Sequence, residues 1–256
     1  MSMRAQLLLA PLLALMLTPA WSAESDARAE AMAERIRQQQ QAPDRHEFDH
    51  RRDGPRRPFD TFQFLGLQAG MVALDVGAYA GYTTEMLAAA VGSKGRVISH
   101  NRERVLLAYA DGYYKRTMDE RLANDRLPNV EIHLAEYEDL GLKDEVDVAF
   151  LGNMLHDFYY RDGEAKALAF LAAIRDALKP GGTLGVMDHV GETGYDNAAL
   201  HRIEPAIARR LLERAGFVVE AESSLFANAD DDHSLMVYDD TIYLKTDRFL
   251  FRARKP

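Results

Sequence analysis

Between Leu74 and Leu87 the chain reads LDVGAYAGYTTEML, a stretch whose residue types suit the capture of a small charged ligand. Gly77 permits a sharp turn out of a strand, and Gly81 lets the following helix approach the sheet closely. The helix start at Tyr82 to Thr84 offers free amides that favour an anion such as a carboxylate. Asp75 has two readings: it orients this loop and reaches an amine, or it caps the next helix. A dinucleotide loop needs glycines at 77, 79 and 82. Tyrosines stand at 79 and 82, which opposes an NAD-dependent oxidoreductase.

Two histidine–carboxylate pairs are the candidates for proton chemistry: His156-Asp157, and Asp188-His189. A histidine near its ordinary pKa can take a proton from an oxygen or nitrogen nucleophile, with an aspartate fixing its tautomer. The competing reading of the first pair is a helix-capping aspartate beside a surface histidine. His201 and Arg202 are placed to close the same pocket, while Tyr113 and Tyr114 read as packing. His46 and His50 lie in a proline-bounded segment with no third ligand at good spacing, so no metal site is expected. The absence of cysteine excludes disulfides, zinc–thiolate sites and cysteine nucleophiles.

These residues need a scaffold, and from Gly70 onward the pattern supplies one. Apolar runs predict strands at 71–76, 96–99, 130–134, 146–151, 183–187, 217–221 and 248–252. Helical stretches at 83–91, 102–114, 163–178 and 201–215 alternate with them. Buried strands alternating with helices imply an α/β fold, a parallel sheet with helices on both faces. Ligands on such sheets bind beyond the carboxyl ends of the strands, where the loops above lie.

Asp75, the Gly77-to-Gly81 step and the turn LKPGGTL (178–184) resemble the motifs of class I S-adenosylmethionine-dependent methyltransferases. RRDGPRRPFDTFQFLGLQAG, GYTTEMLA, LHDFYYR, DHV, LHRIE and TDRFLFRARKP are similar, more narrowly, to a family of predicted exported methyltransferases, from near Arg52 to Pro256. The resemblance implies a Rossmann-like seven-stranded sheet, mostly parallel with an antiparallel last strand. It implies S-adenosylmethionine as cofactor, held by Asp75, Gly77, Tyr79, Gly81, Asn101, Glu136, Tyr137 and Asn153. Glu136 would meet the adenine amino group, Tyr137 would pack beside the ring or join the core, and Asn101 would take one ribose hydroxyl where an acidic residue is usual. Tyr79 replaces the central glycine of the loop, and either crowds the cofactor's methionine end or lines the substrate entrance. Both departures also suit a fold that binds without turnover.

Arg4, the apolar run 7–17, Pro19 and the small residues 20–23 follow the order of a secretory signal peptide, with cleavage expected after Ser22 and an uncleaved anchor as the alternative. The expected divisions are 1–22 signal peptide, 23–58 polar helix and Pro/Arg-rich arm, and 59–256 methyltransferase domain. With 47% hydrophobic and 28% charged residues the bulk should fold. The net charge of -9, with both signs interspersed, opposes a general nucleic-acid binder. The expected partner is a small-molecule or envelope acceptor outside the cytoplasm, with the membrane involved only through the export signal.

Overall fold

A computed structural model describes the backbone from residue 20 to 256 and the side chains from residue 24, Ala110 excepted. Residues 1–19 of the expected signal segment, 1–22, lie outside the described residues. Its expected cleavage point, after Ser22, lies in the first turn of α1 (Ala20–Gln40). Among the described residues no helix is long and apolar enough to cross a membrane.

In chain order, α1 is followed by α2 (His50–Arg56), α3 (Pro58–Phe64), β1 (Val72–Val76), α4 (Tyr82–Val91), β2 (Arg96–Asn101), α5 (Glu103–Ala108) and α6 (Tyr113–Leu122). Then come β3 (Val130–Leu134), β4 (Val146–Gly152), α7 (Leu155–Asp157), α8 (Glu164–Ala177), β5 (Leu178–His189), α9 (Asn197–Leu200), α10 (Pro205–Arg214), β6 (Val218–Ser223) and β7 (Arg248–Arg254). The sheet order is β3-β2-β1-β4-β5-β7-β6. β7 runs antiparallel to both β5 and β6, and the remaining pairs are parallel. The mostly parallel seven-stranded sheet with an antiparallel last strand is therefore present, and the fold is the Rossmann-like methyltransferase fold.

Two expected helices are broken. The 102–114 stretch splits around Tyr109–Gly112, where Asp111 and Gly112 both adopt positive φ. The 201–215 stretch starts only at Pro205, because His201 is left-handed (φ 55°) and proline suits the first helical turn. In the other direction, α8 passes at Leu178 straight into β5, and KPGG is an irregularity inside that strand: it lies opposite Asp147 alone, with Gly181 at φ 80°.

The arm docks on the domain. Met32 and Ile36 of α1 are buried against Leu87 and Val91 of α4, and Arg35 donates to the carbonyls of Ala89 and Ala90 at 2.9 and 2.6 Å. These carbonyls lie at the end of α4, where helical partners run out. Deeper in, buried Glu85 receives Arg121 and Arg126, and Arg121 also meets Asp49 of the arm at 2.8 Å. Arg45 grips Asp53 through both terminal nitrogens. This fixes α2 across the carboxyl end of the sheet.

Candidate functional site

The carboxyl ends of β1, β4 and β5 open into a cavity of about 1080 Å³. That is the scale of a site enclosing a cofactor-sized molecule. Its floor is the loop after β1. Gly77 has φ 68°, and a Cβ there would meet Met154 Sδ at 2.4 Å, so only glycine leaves the backbone open to the cavity. Gly81 has φ 81° and a Cβ would lie 2.7 Å from Met118 Cε.

Asp75 is buried at the end of β1. Its Oδ2 accepts from the Thr84 hydroxyl at 2.6 Å, and Thr84 in turn bonds Ser99 at 3.0 Å. Asp75 thus anchors α4 to the sheet, as its capping reading expects, and also lines the cavity. Burial raises its pKa to about 6, against the lowering by Thr84 and Arg56.

Tyr79 adopts left-handed φ (50°), and its N–H donates to Asn101 Oδ1 at 2.8 Å. Its hydroxyl donates to Tyr137, and its ring sits 5.2 Å from that of Tyr114. The side chain therefore forms one wall of the cavity. Asn101 is completely buried behind the loop, outside the lining, so it shapes the loop. Glu136 also stands apart: its side chain is 61% exposed and pairs with Arg102 at 2.7 Å. The next residue, Tyr137, faces the cavity, packed edge-on against Phe158 and Phe170 at 4.7 and 5.1 Å. Asn153 lines the cavity in left-handed conformation (φ 54°), and its buried Oδ1 has no hydrogen-bond partner among the described residues.

The two histidine–carboxylate pairs re-sort. Asp188, fully buried, accepts from His156 Nδ1 at 2.7 Å and from the His156 backbone N–H at 3.0 Å. His156 is buried behind the rim, while Asp157, His189 and His201 line the cavity. Burial opposes charge on His156, yet the Asp188 carboxylate outweighs it and holds the imidazole above its ordinary pKa. Burial likewise works against Asp188, and His156 reverses that and lowers it. His189 is pushed down to about 3, burial outweighing Asp188, and its Nδ1 meets the Thr246 hydroxyl at 2.8 Å. The pair that the structure forms is therefore His156–Asp188, joining the start of α7 to the end of β5.

Arg202 does not reach the cavity. Fully buried, it binds Asp231 through both terminal nitrogens at 2.9 Å and donates to the carbonyls of Val190 and Leu235. It fastens the 224–247 segment, which carries Tyr238 to the rim. Sequence reasoning missed Arg52 and Arg56, which α2 brings to the cavity, and Arg248, whose Nη2 donates to the Pro55 carbonyl at 2.7 Å. The signal was the RRDGPRRP run, which reads as solvated unless its helix docks.

This sheet order and this loop define the fold class of the class I methyltransferases. The family model for protein-L-isoaspartate(D-aspartate) O-methyltransferase matches residues 56–138, less than half of the chain. Among solved structures, the chain is similar to a SAM-dependent methyltransferase from Aquifex aeolicus (22% identity, 78% of this chain and 89% of that one, TM-score 0.57). It is also similar to the [4+2]-cyclase SpnF (19%, 79% and 80%, TM-score 0.58). A SAM-dependent O-methyltransferase from Thermotoga maritima matches as well (19%, 78% and 65%, TM-score 0.51). No curated protein sequence matches the chain.

Proposed function

We propose that the chain binds S-adenosylmethionine in this cavity and transfers its methyl group to an oxygen or nitrogen acceptor held at the edge formed by Asp157 and His201. The supporting observation is the meeting of two loops: after β1 Gly77 leaves no room for a side chain, and after β4 Asn153 holds out a buried amide oxygen unpartnered among the described residues. A buried acceptor without a donor is costly unless a ligand supplies one. When bound, the cofactor supplies an activated methyl group. Gly77 and Gly81 bring backbone against it, Asn153 and Asp75 offer acceptors to its amine, and Tyr79 and Tyr137 wall one side. Asp157 and His201 stand at the acceptor's edge, with His156–Asp188 behind them. Transfer from an activated donor depends chiefly on alignment, so this edge contributes mainly by positioning.

A second reading, binding without turnover, is favoured by Tyr79, whose ring occupies a wall where the loop usually carries glycine. It shares the cofactor and differs only in the absence of methyl transfer. We also propose, from residues 1–22, that the chain is exported. Recovery from the periplasm of protein beginning at Ala23 supports this, and cytosolic protein keeping Met1 opposes it.

Thermal unfolding tests the ligand class. S-adenosylhomocysteine at a hundred times its Kd adds about 2.7 kcal/mol and raises Tm. NAD at the same concentration leaves Tm unchanged. A shift with NAD, or none with S-adenosylhomocysteine, overturns the proposal.

A further inference from the structure

Three side chains at the acceptor edge converge on one point. His156 Nε2 lies 3.5 Å from Asp157 Oδ1, and His201 Nδ1 lies 3.3 Å from that same oxygen. All three atoms fall within 4.8 Å of one another. The His156 side chain is 3% exposed, and its Nε2 has no hydrogen-bond partner among the described residues. His201 Nδ1 is buried in the same condition.

These separations are those of a coordination shell. A tetrahedral ion held at about 2.0–2.1 Å sets neighbouring ligand atoms about 3.3–3.4 Å apart. Two of the three edges already have that length, and rotation of the rim histidine shortens the third. Asp188 adds an independent observation. An ionised carboxylate only accepts, so neutral His156 donates through Nδ1–H, and the Nε2 lone pair that a metal would take in place of a proton faces Asp157 and His201. A carboxylate behind a histidine is the usual outer support of a metal-ligating imidazole.

From this geometry we infer that His156 Nε2, Asp157 Oδ1 and His201 Nδ1 bind a divalent transition-metal ion of the zinc class. Two imidazole nitrogens and one carboxylate suit zinc, cobalt or iron(II) better than magnesium, which favours oxygen ligands. Asp157 and His201 line the cavity, so the remaining coordination position faces the acceptor. Sites with three protein ligands and one open position are characteristic of ions that take part in chemistry rather than in folding. The Tyr238 ring packs against the His201 ring, with centroids 5.4 Å apart. This inference rests on the acceptor edge proposed above, yet its readout needs no cofactor.

The test is titration of untagged, chelator-stripped full chain with Zn²⁺ by calorimetry, and with Co²⁺ by visible absorption. One ion per chain, with the d–d bands of low-coordinate cobalt, is expected. Asp157→Ala and His201→Gly should each weaken binding at least tenfold with an unchanged circular dichroism spectrum, glycine suiting the left-handed backbone at 201. Asp188→Asn should weaken it about 10–100-fold, the usual loss for an outer-shell partner. No binding at millimolar metal, or undiminished binding in folded His201→Gly, overturns the inference. S-adenosylhomocysteine binding without metal binding would defeat this inference alone, and metal binding without S-adenosylhomocysteine binding would defeat only the cofactor reading.

Discussion

Asp188 holds His156 at two points, the ring Nδ1 at 2.7 Å and the backbone N–H at 3.0 Å, and so ties the end of β5 to the start of α7. Both groups are buried, so the pair fixes a ring orientation rather than decorating a surface. In the folded chain the His156 pKa stands above its ordinary 6.5 and that of Asp188 below its ordinary 3.8. The histidine's contribution to stability is full below about pH 6.5 and is lost as pH rises through its folded value. The aspartate's is present above about pH 4 and is lost as pH falls through its own.

Asp188→Asn is therefore expected to cost about 3 kcal/mol in chelator-treated protein near pH 6, the scale of breaking a buried pair. Urea unfolding at pH 6 and pH 9 checks it: the gap between the native chain and the variant should narrow at the higher pH. A gap independent of pH would mean that His156 carries no charge in the folded state.

Asp75 predicts a pH dependence for the ligand. Its pKa near 6 means that ionising it in the fold costs stability between its ordinary 3.8 and about 6. If its carboxylate receives the cofactor's amine, affinity for S-adenosylhomocysteine falls below pH 6, approaching tenfold per pH unit. Asp75→Asn should bind more weakly at pH 7.5 and lose that slope. A slope unchanged in the variant would leave Asp75 as an anchor of α4 only.

Gly77→Ala meets both a left-handed backbone and Met154 Sδ at 2.4 Å. Strain of this kind costs about 1–3 kcal/mol, and the displaced loop should lose at least tenfold in cofactor affinity. Gly141→Ala is the control, because φ is also positive (63°) but nothing lies within 4 Å of its Cβ. It should lose some stability and keep its affinity, as measured by calorimetry on both.

Arg202→Met leaves Asp231 buried without its partner and should cost about 3–5 kcal/mol. Adding Asp231→Leu should recover part of this in urea unfolding, since two apolar groups replace a desolvated charge. Further loss in the double variant would be assigned to the backbone N–H groups of His233 and Asp247, from which Asp231 also accepts.

Much of this architecture was legible in the sequence because apolar runs mark buried parallel strands. β3 falls on its predicted residues, Val130–Leu134, and the Gly77–Gly81 loop lies where its glycines place it. Helix breaks were less visible, since His201 closes α9 as a left-handed cap bonded to the carbonyls of Asn197 and Ala198, a role its residue type does not announce. Long-range charge pairing was invisible: Asp49–Arg121 spans the arm and α6, and Arg202–Asp231 reaches across a loop. For the same reason Arg202 reads as a rim residue, whereas its guanidinium is buried. The metal-like cluster also joins residues on separate elements, and His201 gains its meaning only beside Asp157.

The most direct test of the central claim is calorimetric titration of the purified chain with S-adenosylhomocysteine. The structure predicts one site of micromolar Kd, weakened at least tenfold in Gly77→Ala. No heat at millimolar ligand, with the chain folded, would contradict a cofactor site in this cavity.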